Sequence, residues 1–334
     1  MNEIIDLNGD LQLQSEAFVR HYNTNIYEQV NINNFNFSSN DMINEYGFLN
    51  NHEFLIKNSN TDNKNSNYKN KQNFYLSGIY QYNSTLPLIK IDENYQKILK
   101  PRVSFRVAPS HTKNDAKNER KVNLNNVYSL DRVVDDQSIE GGISAIYGLD
   151  YSILDKKQNN ELFVFKLANN LRIENNDNLS RMNQLGEKVS NIFNEIEYKP
   201  NEFLSTKYTS AIKNNLRDKS YENFKTEFKI NNFVTTFDYL NENNTLERNS
   251  YLSNKSSINI DKFNNFTFST RKNKTKDLTE YYNLMYQYKN DCLAASVEYN
   301  KDFYSDREIK PDESIFFKLT FIPLGEAASP NLKN

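Results

Sequence analysis

The residue types that most often do chemistry are sparse in this chain and poorly spaced for it. His21, His52 and His111 fall in polar segments with no spaced cysteine or carboxylate beside them, so no metal set of the usual spacing can be written. Asp135, Asp136 and Glu140 lie close enough in sequence to suggest a calcium or acid/base site. In an Asn-rich loop their plainer role is solvation. Cys292 is the single cysteine, which excludes an intrachain disulfide. One basic set remains: Arg102, Arg106, Lys117, Arg120 and Lys121. Their cations could hold phosphate groups through charge-assisted hydrogen bonds, or belong to an ordinary solvated loop. No catalytic constellation emerges. The chain reads as a non-enzyme with no cofactor and no metal.

The elements that would position such residues are β-strands. From Tyr281 to Leu324 three strands follow one another, each with a period of two. Tyr282, Leu284, Tyr286 and Tyr288 share a face in the first, and Leu293, Ala295, Val297 and Tyr299 in the second. Ile315, Phe317, Leu319 and Phe321 share a face in the third, and polar residues fill most of the alternate positions. Successive side chains of a strand point to opposite faces, so one face is apolar and the other polar. The apolar face meets either a protein core or lipid. In the first case Tyr286, Leu284 and Phe317 should be stacked in a dry interior between two layers.

Composition favours lipid. Apolar residues make up 37 % of 334 residues, below the about 45–50 % of an ordinary soluble domain, and mean hydropathy is strongly negative. Yet there are 22 Tyr and 22 Phe, which a disordered chain would lack. A polar inner face with aromatic girdles outside gives this combination in a membrane β-barrel. An Asn-rich secreted β protein is the competing reading. The net charge of -2 implies no nucleic-acid footprint. No apolar run approaches the roughly 18 residues of a transmembrane helix. Met1 to Asp6 carries no signal peptide, so the chain is expected to be the C-terminal part of something longer.

Strand signals recur along the chain at about 8–12 residues, a length that spans a bilayer when tilted. Residues 1–100 show them weakly, and Asn58 to Asn70 reads as a solvated loop. Val103 to Val107 reads as a short strand after Pro101. Connections alternate in length. Short ones are expected at Asp155–Asn160, Pro200–Asn201, Asn231–Asn232, Asp261–Asn264 and Asn290–Asp291. Long polar ones are expected at Ala108–Ile139, Glu174–Lys188, Lys213–Ser220, Asn241–Asn249, Lys272–Thr279 and Asp302–Glu313. Outer-membrane barrels have this parity. The expectation is an all-β, antiparallel transmembrane β-barrel. Its roughly 16 strands would form the C-terminal portion of a larger barrel and need not close alone.

Four segments carry a resemblance. They are Leu99-Lys100-Pro101-Arg102-Val103-Ser104-Phe105; Asp131-Arg132 with Glu140-Gly141-Gly142 and Tyr147-Gly148-Leu149-Asp150-Tyr151; Tyr288-Lys289-Asn290-Asp291-Cys292-Leu293; and Arg307-Glu308-Ile309-Lys310-Pro311 running into Ser314 to Leu319 and Leu324-Gly325. In that order they resemble the LPS-assembly protein LptD family, from about Leu86 to Gly325. The resemblance implies an outer-membrane translocon of a Gram-negative envelope that inserts lipopolysaccharide into the outer leaflet. A general porin or receptor barrel and a secreted adhesin remain the alternatives. It implies a C-terminal barrel region over 101–325, weaker barrel strands over 1–100 and a periplasmic tail over 326–334. It implies that Ile315, Phe317, Leu319 and Phe321 lie on the last strand of a lateral gate, and that Cys292 bridges to a missing periplasmic N-terminal domain. The implied partners are lipopolysaccharide, an LptE-like lipoprotein plug and an LptA-like periplasmic bridge. Arg102, Arg106, Lys117, Arg120 and Lys121 would then meet lipid A phosphates.

Overall fold

The computed structural model describes residues 8–22, 26–65, 71–109, 120–134, 139–243, 248–303, 311–322, 325–328 and 332–333. His111, Lys117, Asp135, Asp136 and Arg307 to Lys310 lie outside them. All regular structure among the described residues is β. In chain order the strands are β1 (Gly9–Tyr22), β2 (Ile26–Ser39), β3 (Met42–Ile43), β4 (Leu49–Lys64), β5 (Lys71–Thr85), β6 (Leu88–Ile91), β7 (Tyr95–Ala108), β8 (Gly142–Asp155), β9 (Asn160–Arg172) and β10 (Ile192–Asn201). They continue with β11 (Leu204–Ile212), β12 (Lys219–Ile230), β13 (Phe233–Asn243), β14 (Arg248–Asn259), β15 (Asn264–Asn273), β16 (Leu278–Lys289), β17 (Leu293–Asp302), β18 (Asp312–Phe321), β19 (Gly325–Ala328) and β20 (Leu332–Lys333). Setting aside the short β3, β6, β19 and β20 leaves sixteen long strands among the described residues, as expected. The chain divides into two compact units. Unit 1 is Met1–Asn160, Val164–Glu195 and Ala211–Asp218; unit 2 is Glu161–Phe163, Ile196–Ser210 and Lys219–Asn334.

In unit 2, β12 to β18 pair in sequence order, all antiparallel. The register sets Phe233 opposite Ile258, Ile258 opposite Phe266, Phe266 opposite Tyr286, Tyr286 opposite Val297 and Val297 opposite Phe317. This is one apolar row across six strands, and every member is exposed, Phe233 least at 37 % and Phe317 most at 46 %. Leu284 is half-buried. No second layer covers this row among the described residues, so the dry two-layer interior is not what the strands build. On the other face Thr236, Lys255, Ser269, Asn283, Asn300 and Ser314 form the matching polar row.

Unit 1 has the same inversion. β1, β2, β4, β5, β7 and β8 pair antiparallel in that order, with β3 alongside β4 and β6 alongside β7. Lys57, Ser59, Thr61 and Asn63 of β4 are buried, while Leu11, Leu13, Phe74, Leu76 and Phe105 are exposed.

Four expectations need correction. Asn58 to Asn70 is not all loop, because β4 runs on to Lys64. Its buried face is polar there, so apolar alternation could not mark it. The strand after Pro101 is the end of β7, a strand of 14 residues that contains Pro101. Proline lacks an N–H, and Pro101 sits where one neighbour hands over to another: β6 pairs as far as Leu99 and β5 from Arg102. Pro200 and Asn201 close β10, and the turn is Glu202-Phe203. The connections expected at Asn241–Asn249 and Lys272–Thr279 shrink to residues 244–247 and 274–277, because polar residues extend the flanking strands. The length contrast survives at 109–141, 173–191, 213–218 and 303–311.

Within the expected tail, the described residues 326–328 and 332–333 are strand. β19 pairs with Lys318 to Phe321, and β20 with Ser314 and Ile315, along β18.

Candidate functional site: a segment clamped to the polar face

The long connection 109–141 does not run out into solvent throughout. Val122 and Val127 are buried, and Ile139 packs with Leu55, Ile79 and Ala108 in a small apolar cluster that Leu130 joins. These anchors bring the backbone of 127–132 onto the polar face of β4, β5 and β7. Lys57 of β4 donates to Asp131 at 2.7 Å. Gln81 of β5 donates to the Tyr128 carbonyl at 2.7 Å. Arg106 of β7 donates to the Ser129 and Leu130 carbonyls, both at 2.8 Å, and to Gln81 at 2.5 Å. Gln81 and Arg106 thus satisfy loop carbonyls, and Lys57 a loop carboxylate.

Glu140 lies at the centre. Arg132 grips it with two bonds of 2.6 Å, from Nε and Nη2. Arg172, the last residue of β9, donates to the same carboxylate and also to the Gly141 and Leu185 carbonyls. Arg106 approaches within 3.9 Å, and Asn170 accepts from Arg132 at 2.9 Å. Glu140, Arg132 and Arg106 are each no more than 3 % exposed. Two-bond guanidinium–carboxylate geometry is the form in which such a buried pair can offset its desolvation. Burial alone would raise the Glu140 carboxyl, but Arg132, with help from Arg106 and Arg172, more than offsets it and holds it down at about 2. Glu140 is therefore a buried anion at neutral pH, not the solvated loop residue its composition suggested.

A second contact locks the segment. The Tyr128 side chain enters a notch over Gly148, where a Cβ would sit 2.1 Å from its hydroxyl and 2.4 Å from the Leu167 carbonyl. Only glycine leaves that space. Arg102 lies over the Tyr128 ring at 4.2 Å and pairs with Asp150 at 3.4 Å. Burial pushes the Tyr128 hydroxyl up to about 12. At Gly142 φ is 97° and Arg172 fills the Cβ position, so a side chain would be strained there too. The connection 173–191 is held in turn by buried Leu179, Met182 and Leu185. Asn183 accepts from the Val122 amide at 3.1 Å and donates to the Arg120 carbonyl at 2.7 Å.

Of the five basic residues expected to act together, four are described, and they have different surroundings. Arg106 is inside the clamp, bound to protein acceptors, which takes it out of a phosphate-facing set. Arg102 is committed to Tyr128 and Asp150. Arg120 is exposed and Lys121 half-buried, and Lys117 lies outside the described residues. Cys292 is exposed in the β16–β17 turn, where Asn290 accepts from the Cys292 and Leu293 amides at 2.9 and 2.7 Å. Ile315, Phe317 and Phe321 are exposed and Leu319 half-buried on the apolar face of β18. His21 and His52 belong to no metal set; none is found among the described residues.

Lys57, Gln81, Tyr128 and Arg172 had no signal as site residues, because single polar residues on strands and loops look alike in sequence. Arg132, Glu140, Gly148 and Asp150 did have one. They stand in the quoted segments, and the structure brings those segments together. What the arrangement does is mechanical: it fastens a loop across the polar face of the sheet.

No family model matches the chain, and no curated protein matches it. Among solved structures it is similar to several engineered variants of a Rhodopseudomonas blastica porin. They are 7 % identical, with TM-scores of 0.36 and 0.35, over 87 % of this chain and 95 % of theirs. A structure titled "Asymmetric conductivity of engineered proteins" has a TM-score of 0.34 over the same shares. A likeness of that size carries no argument. The functional reading rests on the chain's own residues.

Proposed function

We propose that this chain is the wall of an outer-membrane β-barrel whose polar face lines a conduit narrowed by the clamped segment. The observation that carries it is the exposed row Phe233, Ile258, Phe266, Tyr286, Val297 and Phe317, set back to back with hydrogen-bonded polar residues. Water would not favour an apolar row this continuous on a free surface, whereas hydrocarbon accepts it at no cost. In lipid an unpaired backbone group costs several kcal/mol, so spanning strands must be paired on both edges. The test is a heat-modifiable gel shift of the detergent-extracted protein. A folded barrel should migrate faster unheated than boiled; a single unmoving band removes the reading.

A second, finer reading is favoured by the clamp. Pro101-Arg102, Asp131-Arg132, Glu140-Gly141-Gly142 and Tyr147 to Tyr151 belong to two of the four segments that resemble the LptD family, and these two converge on one fastening. On this reading the chain is the C-terminal barrel of a lipopolysaccharide-inserting machine, and it transports by geometry. An LptE-like lipoprotein and an LptA-like bridge would be its partners, and Cys292 would pair with an upstream domain. Depletion should then stall lipopolysaccharide in the periplasm. A change confined to small-solute uptake would favour the plain channel. Non-reducing gels should show a mixed disulfide that Cys292→Ser abolishes.

A further inference from the structure

On β2 and β4 the outward face turns polar. Asn33, Asn31 and Gln29 stand opposite Asn58, Asn60 and Asp62, and Asp62 stands opposite Gln72 of β5. They alternate with buried Val30, Ile32, Ser59 and Thr61, so they share the face of Phe35, Phe37 and Phe54. At the same heights the flanking strands carry apolar, exposed residues beside the polar Ser15 and Gln72. Phe74 and Leu76 lie opposite Asn60 and Asn58, and Val19 lies opposite Gln29. Their exposures are 68, 62 and 64 %.

At its base the patch is zipped to itself. Ser15 donates to Asn33 at 2.7 Å, Asn33 to Asn31 at 2.7 Å and to Asn58 at 3.2 Å, and Asn60 to Asn58 at 2.7 Å. Above the base, Gln29, Asn31, Asn60, Asp62, Gln72 and Phe74 help line a concavity of about 420 Å³. Hydrocarbon would leave these groups short of partners, at a cost of some kcal/mol each. The lining has one carboxylate and no cation, so an anionic group would not be drawn to it. Neutral amides offer donors and acceptors side by side, which suits adjacent hydroxyls, and Phe74 offers an apolar ring face beside them.

We propose that this concavity on β2, β4 and β5 binds the hydroxyl-rich sugar headgroup of a membrane glycolipid. The proposal rests on the reading that the outward face meets a membrane. The test uses the full chain in detergent micelles, with native mass spectrometry of three probes: diglucosyl-diacylglycerol, diacylglycerol with the same acyl chains, and phosphatidylglycerol. The diglucosyl lipid should be retained roughly tenfold better than either other probe. The double variant Asn31→Ala, Asn60→Ala should lose about that tenfold, as should Gln72→Ala with Phe74→Leu, while Asn254→Ala in unit 2 should not. Equal retention of the three lipids, or variants that bind as the parent does, overturns the proposal. So does efficient Asn60→Cys self-cross-linking in the absence of lipid, which would make a second copy the occupant. The gel shift on the same samples separates the two failures. A shift kept without lipid discrimination sinks only the headgroup site; a shift absent in the parent sinks the membrane reading itself.

Discussion

The polar faces of the two units solve the same problem differently. In unit 1 the face is covered by chain: residues 120–134 and 139–141 lie on it and are fastened by buried ions, Glu140 among Arg132, Arg172 and Arg106. In unit 2 the face is satisfied by its own neighbours. Asn283 donates to Glu298 and Asn300, Thr236 to Glu227 and Thr267 to Ser257, and the connections are mostly short. The difference teaches where specificity is stored. A ladder of side chains bonded to strand neighbours tolerates single losses, because its members have alternatives. A buried ion cluster does not, because removing one partner strands the others.

The comparison can be broken most directly at Glu140. Glu140→Ala should destabilise unit 1 by about 3–5 kcal/mol, as expected when a buried pair loses one member, and should open 120–134 to protease. Asn283→Ala in unit 2 should cost about 1 kcal/mol, near a typical hydrogen bond. Equal effects, read as urea midpoints of the folded gel band, would remove the distinction. Acid sharpens the same contrast. The Glu140 carboxyl is depressed in the folded state, so its contribution is fully present above the ordinary carboxylate value of 4.5. It should be lost as pH falls toward about 2. Protease access to 120–134 should therefore stay flat from neutral pH to about 5 and rise below it, and Glu140→Gln should flatten that rise.

On the outward side the exposed apolar row of unit 2 gives a further test. Val297→Lys places a charge between Tyr286 and Phe317 and should cost about 2–4 kcal/mol if that row sits near mid-bilayer. In an aqueous setting it would be nearly silent. Gly148→Ala should cost about 1–3 kcal/mol through overpacking, since the added carbon meets the Leu167 carbonyl as well as Tyr128. Pairing it with Tyr128→Phe should recover only part of the loss. The smallest effect is expected at Lys219→Ala, which breaks a partly exposed pair with Glu222 and should cost about 0.2–1 kcal/mol.

Much of unit 2 was legible in the sequence. The alternation of Tyr282 to Tyr288, Leu293 to Tyr299 and Ile315 to Phe321 gave strand, face and order, because one face is apolar and the period is short-range. Legibility failed where both faces are polar, as at Asn58 to Lys64 of β4. There the hydrogen-bonded partners on β2 and β5 decide that a strand forms, and no local residue type announces it. The site was legible only as fragments. Glu140 resembled any loop carboxylate, and Arg172 any strand-end arginine.

By itself, then, the sequence determined the all-β class, the apolar outward rows and most of the turns, since these follow from neighbours two residues apart or from Asn and Asp capping of tight turns. The tertiary structure alone decided that 120–134 lies on the polar face, that Glu140 is shared by Arg132 and Arg172, and that Tyr128 closes over Gly148. These contacts join residues far apart in the chain. Their energies come from burial, which no residue carries until the sheet has formed.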